Sequence, residues 1–323
     1  MPKIAVTDYA FSDLAIETAI FGQVEHSLVA WREKRTPAEL IELVRDADAV
    51  LTQFAPLNAE VIAGMSRAKV IVRYGIGVDN VDLEAARSRG IAVCNIPDYC
   101  VDEVADHTLA FILCSTRQVV PNTLLIQGGK WGLAGPLSAL QALSNLTVGV
   151  IGYGRIGRAV IKRVLAFGAR VLVFDPVVPA EQIAAGGGAP VRTLADLLQQ
   201  CDIVTLHCPS TAQTKKMFNT AAFASMKAGA ILINVGRGDL VDTPALIAAL
   251  QSGRLAGAAL DVFDPEPVPP DSPLLRLPGV IFSAHIASGS PQAVRKLREN
   301  AAALIVSALK GEPLANVVNK PLA

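Results

Sequence analysis

"LTVGVIGYGRIGRAV", residues 146–160, holds the reading on which the fold turns. An apolar run leads into Gly152, Gly154 and Gly157, spaced G-x-G-x-x-G, and an amphipathic stretch of helical period begins at once. Alone, such a triplet is a weak signal; the strand before it and the helix after it give it meaning. Glycine at 152 permits a tight turn, glycine at 154 lets backbone amides approach a pyrophosphate, and glycine at 157 lets helix and strand pack closely. The helix N-terminus then offers unpaired N–H groups to the anion. The next run, "RVLVFDP" (170–176), ends in Asp175. A carboxylate there accepts hydrogen bonds from the adenosine ribose and repels a 2′-phosphate. The expectation is a dinucleotide site that takes NAD in preference to NADP.

Outward from this unit, short apolar runs alternate with amphipathic stretches. The runs include "KIAVTD", "AVLTQF", "KVIVRY", "IAVCN", "IVTLH", "AILINV", "GAALDVF" and "VIFSA". They are rich in Val and Ile and end at Gly, Asp, Asn or Pro, as buried parallel strands do. Helices are predicted over 38–46, 102–119, 155–168, 194–200, 244–252 and 291–310. The fold class is therefore α/β: two doubly wound parallel-sheet (Rossmann-like) domains. A length of 323 residues suits two cores. The boundary is expected near "NIPDYCVDE" (95–103); whether the helix from about Pro291 returns to the first domain, making it discontinuous, is left open by the pattern alone.

Charge excludes several functions. Twenty-nine basic residues balance 29 acidic ones, so there is no electrostatic footprint for nucleic acid or an anionic membrane. No stretch approaches a membrane span, and "MPKIAVTDYA" enters a strand with no signal-peptide apolar region. The five cysteines (94, 100, 114, 201, 208) form no C-x-x-C and read as buried thiols in a reducing cytosol, with no metal site. A cytoplasmic location is expected.

Three polar residues fall at or just beyond the C-terminal ends of predicted parallel strands, the edge where open α/β sheets bind ligands. "ILINVGRGDLVD" places Arg237, "ALDVFDPEPVPPDSPL" places Glu266, and "GVIFSAHIASGS" (279–290) places His285. The chain has only four histidines. His26 has no supporting context and reads as a surface residue. Asp106 and His107 are neighbours in a predicted helix and point apart, which argues against a dyad. His207 stands in "LHCPS", directly after a predicted strand.

The chain resembles the D-isomer-specific 2-hydroxyacid dehydrogenases. The resemblance rests on "RYGIGVDNVD" (73–82), "GYGRIG" (152–157), "NVGRGDLVD" (234–242), "GAALDVFDPEP" (257–267) and "AHIAS" (284–288), in family order. It implies hydride transfer between NAD and a small D-2-hydroxy acid or its 2-oxo acid. It also implies a substrate-binding, flavodoxin-like domain of residues 1–98 plus 288–323 and an NAD-binding domain of 99–287, with a cleft between them. Arg237 would grip the substrate carboxylate and 2-oxygen with a planar fork that lysine cannot copy. His285 would exchange the hydroxyl proton, for which a histidine's titration range is suited. Glu266 would orient the imidazole and favour its protonated form. Gly75, Ile76 and Gly77 would present amides to the carboxylate as an anion nest. The same resemblance assigns NAD contacts to Thr108, Gly152, Gly154, Arg155, Ile156, Gly157, Asp175, His207 and Pro209. It adds Val235, Gly236, Arg237, Asp261, His285 and Ala287. A homodimer built on the helix from about 102 is implied as well.

Two positions depart from the family pattern: Gly236 stands where Ala or Ser is usual, and Ala284 where proline is common. Both loosen the backbone and leave the chemistry intact. The loop "TQFAPLN" (52–58) has no basic residue to receive a phosphate, so a small neutral or apolar 2-oxo acid is expected over phosphohydroxypyruvate. The alternative is an NADH-sensing binding protein of the C-terminal-binding-protein type, since "PDYCVDEVADHTLA" and "TQFAPLN" resemble that branch, which keeps the same triad. Against it, "HIASGSP" lacks the tryptophan that branch tends to carry after the histidine. Glu266 argues against formate oxidation, where the partner is glutamine; phosphite oxidation keeps the triad and stays open.

Overall fold

Parallel strands joined by crossovers are covered on both faces, so their central members are apolar throughout. That is the composition of the two sheets. In a computed structural model describing residues 1–33 and 35–322, the chain divides into two units, Met1–Tyr99 with Ser290–Ala323, and Cys100–Gly289.

The first unit carries a five-stranded sheet of β1 (Lys3–Val6), β2 (Ser27–Ala30), β3 (Ala49–Thr52), β4 (Val70–Arg73) and β5 (Ala92–Cys94). Their order is β2-β1-β3-β4-β5, all parallel. β2 escaped the sequence reading because it is a half-exposed edge strand with no long apolar run. Helix Pro291–Lys310 packs against helix Ala15–Phe21 and against β3 and β4. Its face supplies Leu297, Ala301, Ala302, Ile305 and Val306 to the core that also holds Ile4, Leu51 and Val72. Ser290 caps its start, accepting the Ala293 N–H at 2.9 Å, and Gly311 ends it in the left-handed region at φ 72°. Within this face Arg298 pairs with the fully buried Glu17 through two bonds of 2.8 and 2.6 Å, and Tyr74 donates to the same carboxylate at 2.9 Å.

The second unit carries seven parallel strands: β6 (Thr147–Ile151), β7 (Arg170–Phe174), β8 (Ala189–Pro190), β9 (Ile203–Leu206), β10 (Ala230–Asn234), β11 (Leu255–Leu260) and β12 (Val280–Phe282). Their order is β12-β11-β10-β9-β6-β7-β8. The order reverses between β6 and β9, and in such sheets the crevice beyond that reversal binds ligands. In the first sheet it reverses between β1 and β3.

The helix expected over 102–119 is two helices, Val101–Thr116 and Val119–Gln127, broken at Gln118, whose φ is 51°. Pro121, with no N–H to donate to the preceding turn, explains why the first helix cannot run on. No single helix among the described residues is long and apolar enough to cross a membrane. The five cysteines are free; burial pushes the Cys201 thiol up to about 12 and those of Cys94 and Cys208 to about 11.

Candidate active site

The glycine turn after β6 has a separate steric cause at each position. Gly152 sits at φ 97°, and a Cβ there would meet the His207 carbonyl oxygen at 2.6 Å. At Gly157 a Cβ would fall 2.1 Å from the Gly152 oxygen, so helix Arg155–Ala166 could not seat on its strand. Gly154 differs: a Cβ there would meet nothing within 4 Å. No protein atom requires glycine at that place, and the open space over the helix N-terminus fits a dinucleotide's pyrophosphate. Arg155 and Ile156 form the first turn of this helix. Asp175 directly follows β7 and is already at work inside the turn. One carboxylate oxygen accepts the Tyr153 N–H at 2.7 Å; the other accepts those of Val177 and Val178 at 2.9 and 3.1 Å.

Beyond β10, Asn234 shapes the turn that carries Arg237. Its Oδ1 accepts the Gly236 N–H at 3.0 Å and its Nδ2 donates to the Arg237 carbonyl at 2.7 Å. Gly238 is obligatory, since a Cβ would lie 1.9 Å from the Phe263 oxygen. The Arg237 turn and the loop carrying Glu266 are thus packed backbone to backbone. The Arg237 guanidinium donates to the Gly236 carbonyl at 3.0 Å.

His285 follows β12 in the left-handed region, at φ 54°, a conformation that costs a non-glycine residue about 1–3 kcal/mol. Asp261 holds it there. The Asp261 carbonyl accepts the His285 N–H at 2.7 Å, and its buried carboxylate accepts the amides of Ile286 and Ala287, each at 2.9 Å. The Ser283 hydroxyl donates to the same carboxylate. Against this fixed turn, Nδ1 of His285 meets Oε1 of Glu266 at 2.6 Å, while Oε2 of Glu266 accepts the Phe263 N–H at 3.2 Å. Partial burial pushes the Glu266 carboxyl upward. The His285 bond and charge, the Phe263 N–H and the nearby Arg237 charge outweigh it, leaving the group below the ordinary carboxylate range.

Residues 109–287 match the sequence profile of the "D-isomer specific 2-hydroxyacid dehydrogenase, NAD binding domain". A glyoxylate reductase of Korarchaeum cryptofilum is 36% identical over 302 residues, covering 92% of this chain and 91% of that protein. The chain belongs to the D-isomer-specific 2-hydroxyacid dehydrogenase family. It is accordingly a nicotinamide-dependent oxidoreductase interconverting a D-2-hydroxy acid and its 2-oxo acid by hydride transfer. The dehydrogenase is also 37% identical over 322 residues to a D-3-phosphoglycerate dehydrogenase of Methanocaldococcus jannaschii, but it spans 60% of that protein's length. Among solved structures, an NADPH-dependent glyoxylate/hydroxypyruvate reductase of Sinorhizobium meliloti in complex with NADP and malonate is similar, with TM-score 0.87, 30% identity, and 99% of this chain and 98% of that one covered. These relatives carry enzyme names, and the binding-protein alternative is not favoured.

The other predicted residues of the dehydrogenase have distinct settings. In the first unit, the carbonyls of Gly75 and Ile76 are tied to the Ile96 N–H at 2.9 Å and Asn95 Nδ2 at 2.7 Å. Gly75 spends its own N–H on Arg73, and the amides of Ile76 and Gly77 make no hydrogen bond among the described residues. Thr108 is fully buried, its hydroxyl donating to the Val104 carbonyl at 2.7 Å. Val235 and Ala287 are nearly buried. The Pro209 carbonyl accepts the Thr214 hydroxyl at 2.7 Å. His26 is half-buried and packs edge-on against Phe21, so it is not the surface residue expected from the sequence.

Three residues escaped the sequence reading. Asn234 is one. Asp8, buried at the reversal of the first sheet, accepts the amides of Gln53, Phe54 and Ala55 at 3.1, 2.7 and 3.1 Å and so shapes the 52–58 loop. The third is Arg73. The loop contains no basic residue, but the fold brings the buried Arg73 guanidinium beneath it, 5.8 Å from the Phe54 ring centroid. A Cβ on Gly75 would strike that same guanidinium at 1.4 Å. Only a strand-to-loop contact reveals it.

His207 is half-buried, with Nε2 2.9 Å from the Thr205 hydroxyl, and desolvation of the ring lowers its pKa from 6.5 to about 3. The unfolded chain therefore takes up a proton below about pH 6.5 that the folded chain refuses. Stability is lost as pH falls through that window, by up to about 1.4 kcal/mol per pH unit. Urea unfolding between pH 7 and 4.5 checks this: His207→Gln should lose less stability on acidification than the parent. Parallel losses would remove His207 as the source.

Proposed function

We propose that the dehydrogenase reduces a small 2-oxo acid, of the size of glyoxylate or hydroxypyruvate, with NADH, and that His285, Glu266 and Arg237 carry the chemistry. The observation that carries the proposal is the 2.6 Å bond from His285 Nδ1 to Glu266, on a turn that Asp261 holds in a strained conformation. With Nδ1 committed to the carboxylate, proton exchange falls to Nε2. Glu266, kept ionised by its surroundings, stabilises the imidazolium that must donate to the alkoxide oxygen as it forms. Arg237 binds the carboxylate and 2-oxygen and polarises the carbonyl. The nicotinamide, when bound, supplies the hydride. In the first unit, the Ile76 and Gly77 amides are the proposed carboxylate donors, in a loop clamped through its carbonyls.

NAD is the proposed coenzyme because a carboxylate, Asp175, directly follows β7. Asp175→Ala would strip three amides of their acceptor, so the cleaner variant is Asp175→Asn. A carboxylate-to-ribose contact is worth about 1.5–3 kcal/mol, so the NADPH-to-NADH ratio of kcat/KM should rise roughly ten- to a hundred-fold. An unaltered ratio removes the ribose contact. A homodimer is the proposed assembly. Leu124, Ile126, Leu133 and Leu137 stand exposed, and Trp131 is 95% exposed, a run of apolar side chains suited to cover by a second copy. Five free thiols support a reducing, cytoplasmic compartment.

The test is a panel of initial rates with glyoxylate, hydroxypyruvate, pyruvate, phenylpyruvate and phosphohydroxypyruvate, run with NADH and with NADPH. Turnover of the two smallest polar acids is expected. A preference for phosphohydroxypyruvate would overturn the proposed substrate class, and silence across the panel would make phosphite the next compound to try.

A further inference from the structure

The turn that presents His285 is braced from a helix 176 positions earlier in the chain. Nε2 of His107, on helix Val101–Thr116, lies 2.9 Å from Oγ of Ser283. The Ser283 hydroxyl hydrogen is already committed to Oδ1 of Asp261. The serine oxygen is thus left as an acceptor, and His107 donates to it from Nε2. Asp261 passes the constraint on: Oδ1 also takes the Ile286 N–H, Oδ2 takes the Ala287 N–H, and its carbonyl takes the N–H of His285. The imidazole of His107 is oriented by Phe111, whose ring meets it edge-on at 4.5 Å and 75°. Asp106, its neighbour, turns the other way and pairs with Arg163 at 2.6 Å.

We propose that His107 is a positioning residue for the reaction, locking Ser283 and Asp261 so that His285 is held in its left-handed conformation at the reacting centre. This rests on the reading of His285 as the acid–base residue. A turn made of one strained residue, with two amides and one hydroxyl around a single carboxylate, has two ways to relax: the carboxylate rotates, or the serine swings away. The His107 bond closes the second route, and with Ser283 fixed, the carboxylate rotation is blocked as well. The other polar anchor of His285, Glu266, fixes the ring but not the backbone that carries it.

His107→Phe keeps an aromatic ring beside Phe111 and removes the donor; His107→Gln supplies an amide N–H in its place. In the phenylalanine variant kcat should fall roughly five- to fifty-fold, the cost of a loosened reacting geometry. KM for the 2-oxo acid and NADH affinity should stay within about twofold of the parent, because those contacts are elsewhere. The solvent deuterium effect on kcat should grow as proton delivery from His285 becomes limiting. The amides of Ile286 and Ala287 should exchange with solvent at least about tenfold faster. His107→Gln should recover most of each change. Ser283→Ala breaks the same link from the other end, so adding it to His107→Phe should cost little more than the worse single change.

The proposal is overturned if His107→Phe leaves kcat and amide exchange at 286–287 unchanged. It is also overturned if the glutamine and phenylalanine variants fall equally, or if the two changes multiply. His285→Ala separates this failure from that of the acid–base reading. If His285→Ala keeps turnover, the reading of His285 falls and the positioning role with it, whatever the exchange data give. If it abolishes turnover while His107→Phe does not, only the brace falls.

Discussion

Replacing His285 with alanine should lower kcat by roughly 10²–10⁴-fold while leaving NADH binding within a few-fold of the parent. The size follows from what is lost. Without the imidazole the alkoxide forming at C2 must take its proton from water, in a site whose remaining groups are arranged to hold charge and not to deliver hydrogen. Cofactor binding should survive because the glycine turn, the helix N-terminus and Asp175 belong to β6 and β7, and none depends on the His285 ring. Stability should fall only slightly, since alanine sheds the half-exposed Glu266 bond and tolerates φ 54° no better than histidine does. Stopped-flow reduction of glyoxylate, with NADH affinity read separately by fluorescence, checks both halves. Near-normal turnover would remove His285 from the mechanism; lost NADH affinity would make the effect structural.

Arg237→Lys should cost about 10²–10³-fold in kcat/KM, carried mostly by KM. The charge survives and the fork does not: a lysine ammonium cannot make two parallel bonds to a carboxylate, nor also reach the 2-oxygen. The backbone around the position is over-determined, with Asn234 bonded to both Gly236 and Arg237, and Gly238 wedged against Phe263. The loop therefore has little freedom to move a shorter head group into place. Losing the guanidinium-to-Gly236 bond loosens the side chain further. Steady-state rates against 2-oxo acid concentration give the answer; an unchanged KM would mean that Arg237 does not hold the carboxylate.

What the sequence discloses divides along a physical line. Gly152, Gly154 and Gly157 are legible because strand, turn and helix are contiguous: Gly152 and Gly157 answer contacts with the adjoining backbone, and Gly154 leaves the helix N-terminus open. Arg237, Glu266 and His285 are legible as polar residues at strand ends. The devices that hold them are not. Asp261 looks like one more strand-terminal aspartate until Ser283, Ile286 and Ala287 close around it. Asp8 meets the 52–58 loop from 45 or more positions away, and Arg73 reaches Phe54 through space. Polar contacts at such separations leave no periodicity, so no reading of neighbours finds them. Likewise the break at Gln118 depends on one left-handed backbone torsion, which the apolar residues 109–114 and 119–120 of a helix-like run conceal.

The discontinuity of the first unit has a consequence for biogenesis. A ribosome releases Glu17 with its carboxylate destined for a fully buried place, and its partner Arg298 lies 281 residues downstream. At roughly 5–20 residues per second, the nascent polypeptide waits about a quarter of a minute to a minute for the cation that lets that carboxylate be enclosed. Leu297, Ile305 and Val306 arrive with it. Until then the leading segment exposes an unfinished apolar face, whereas residues 100–289 already contain every strand of their own sheet. The middle of the polypeptide should therefore acquire protease resistance before its beginning does, and a chaperone that shields the first hundred residues during translation should raise the yield of active enzyme.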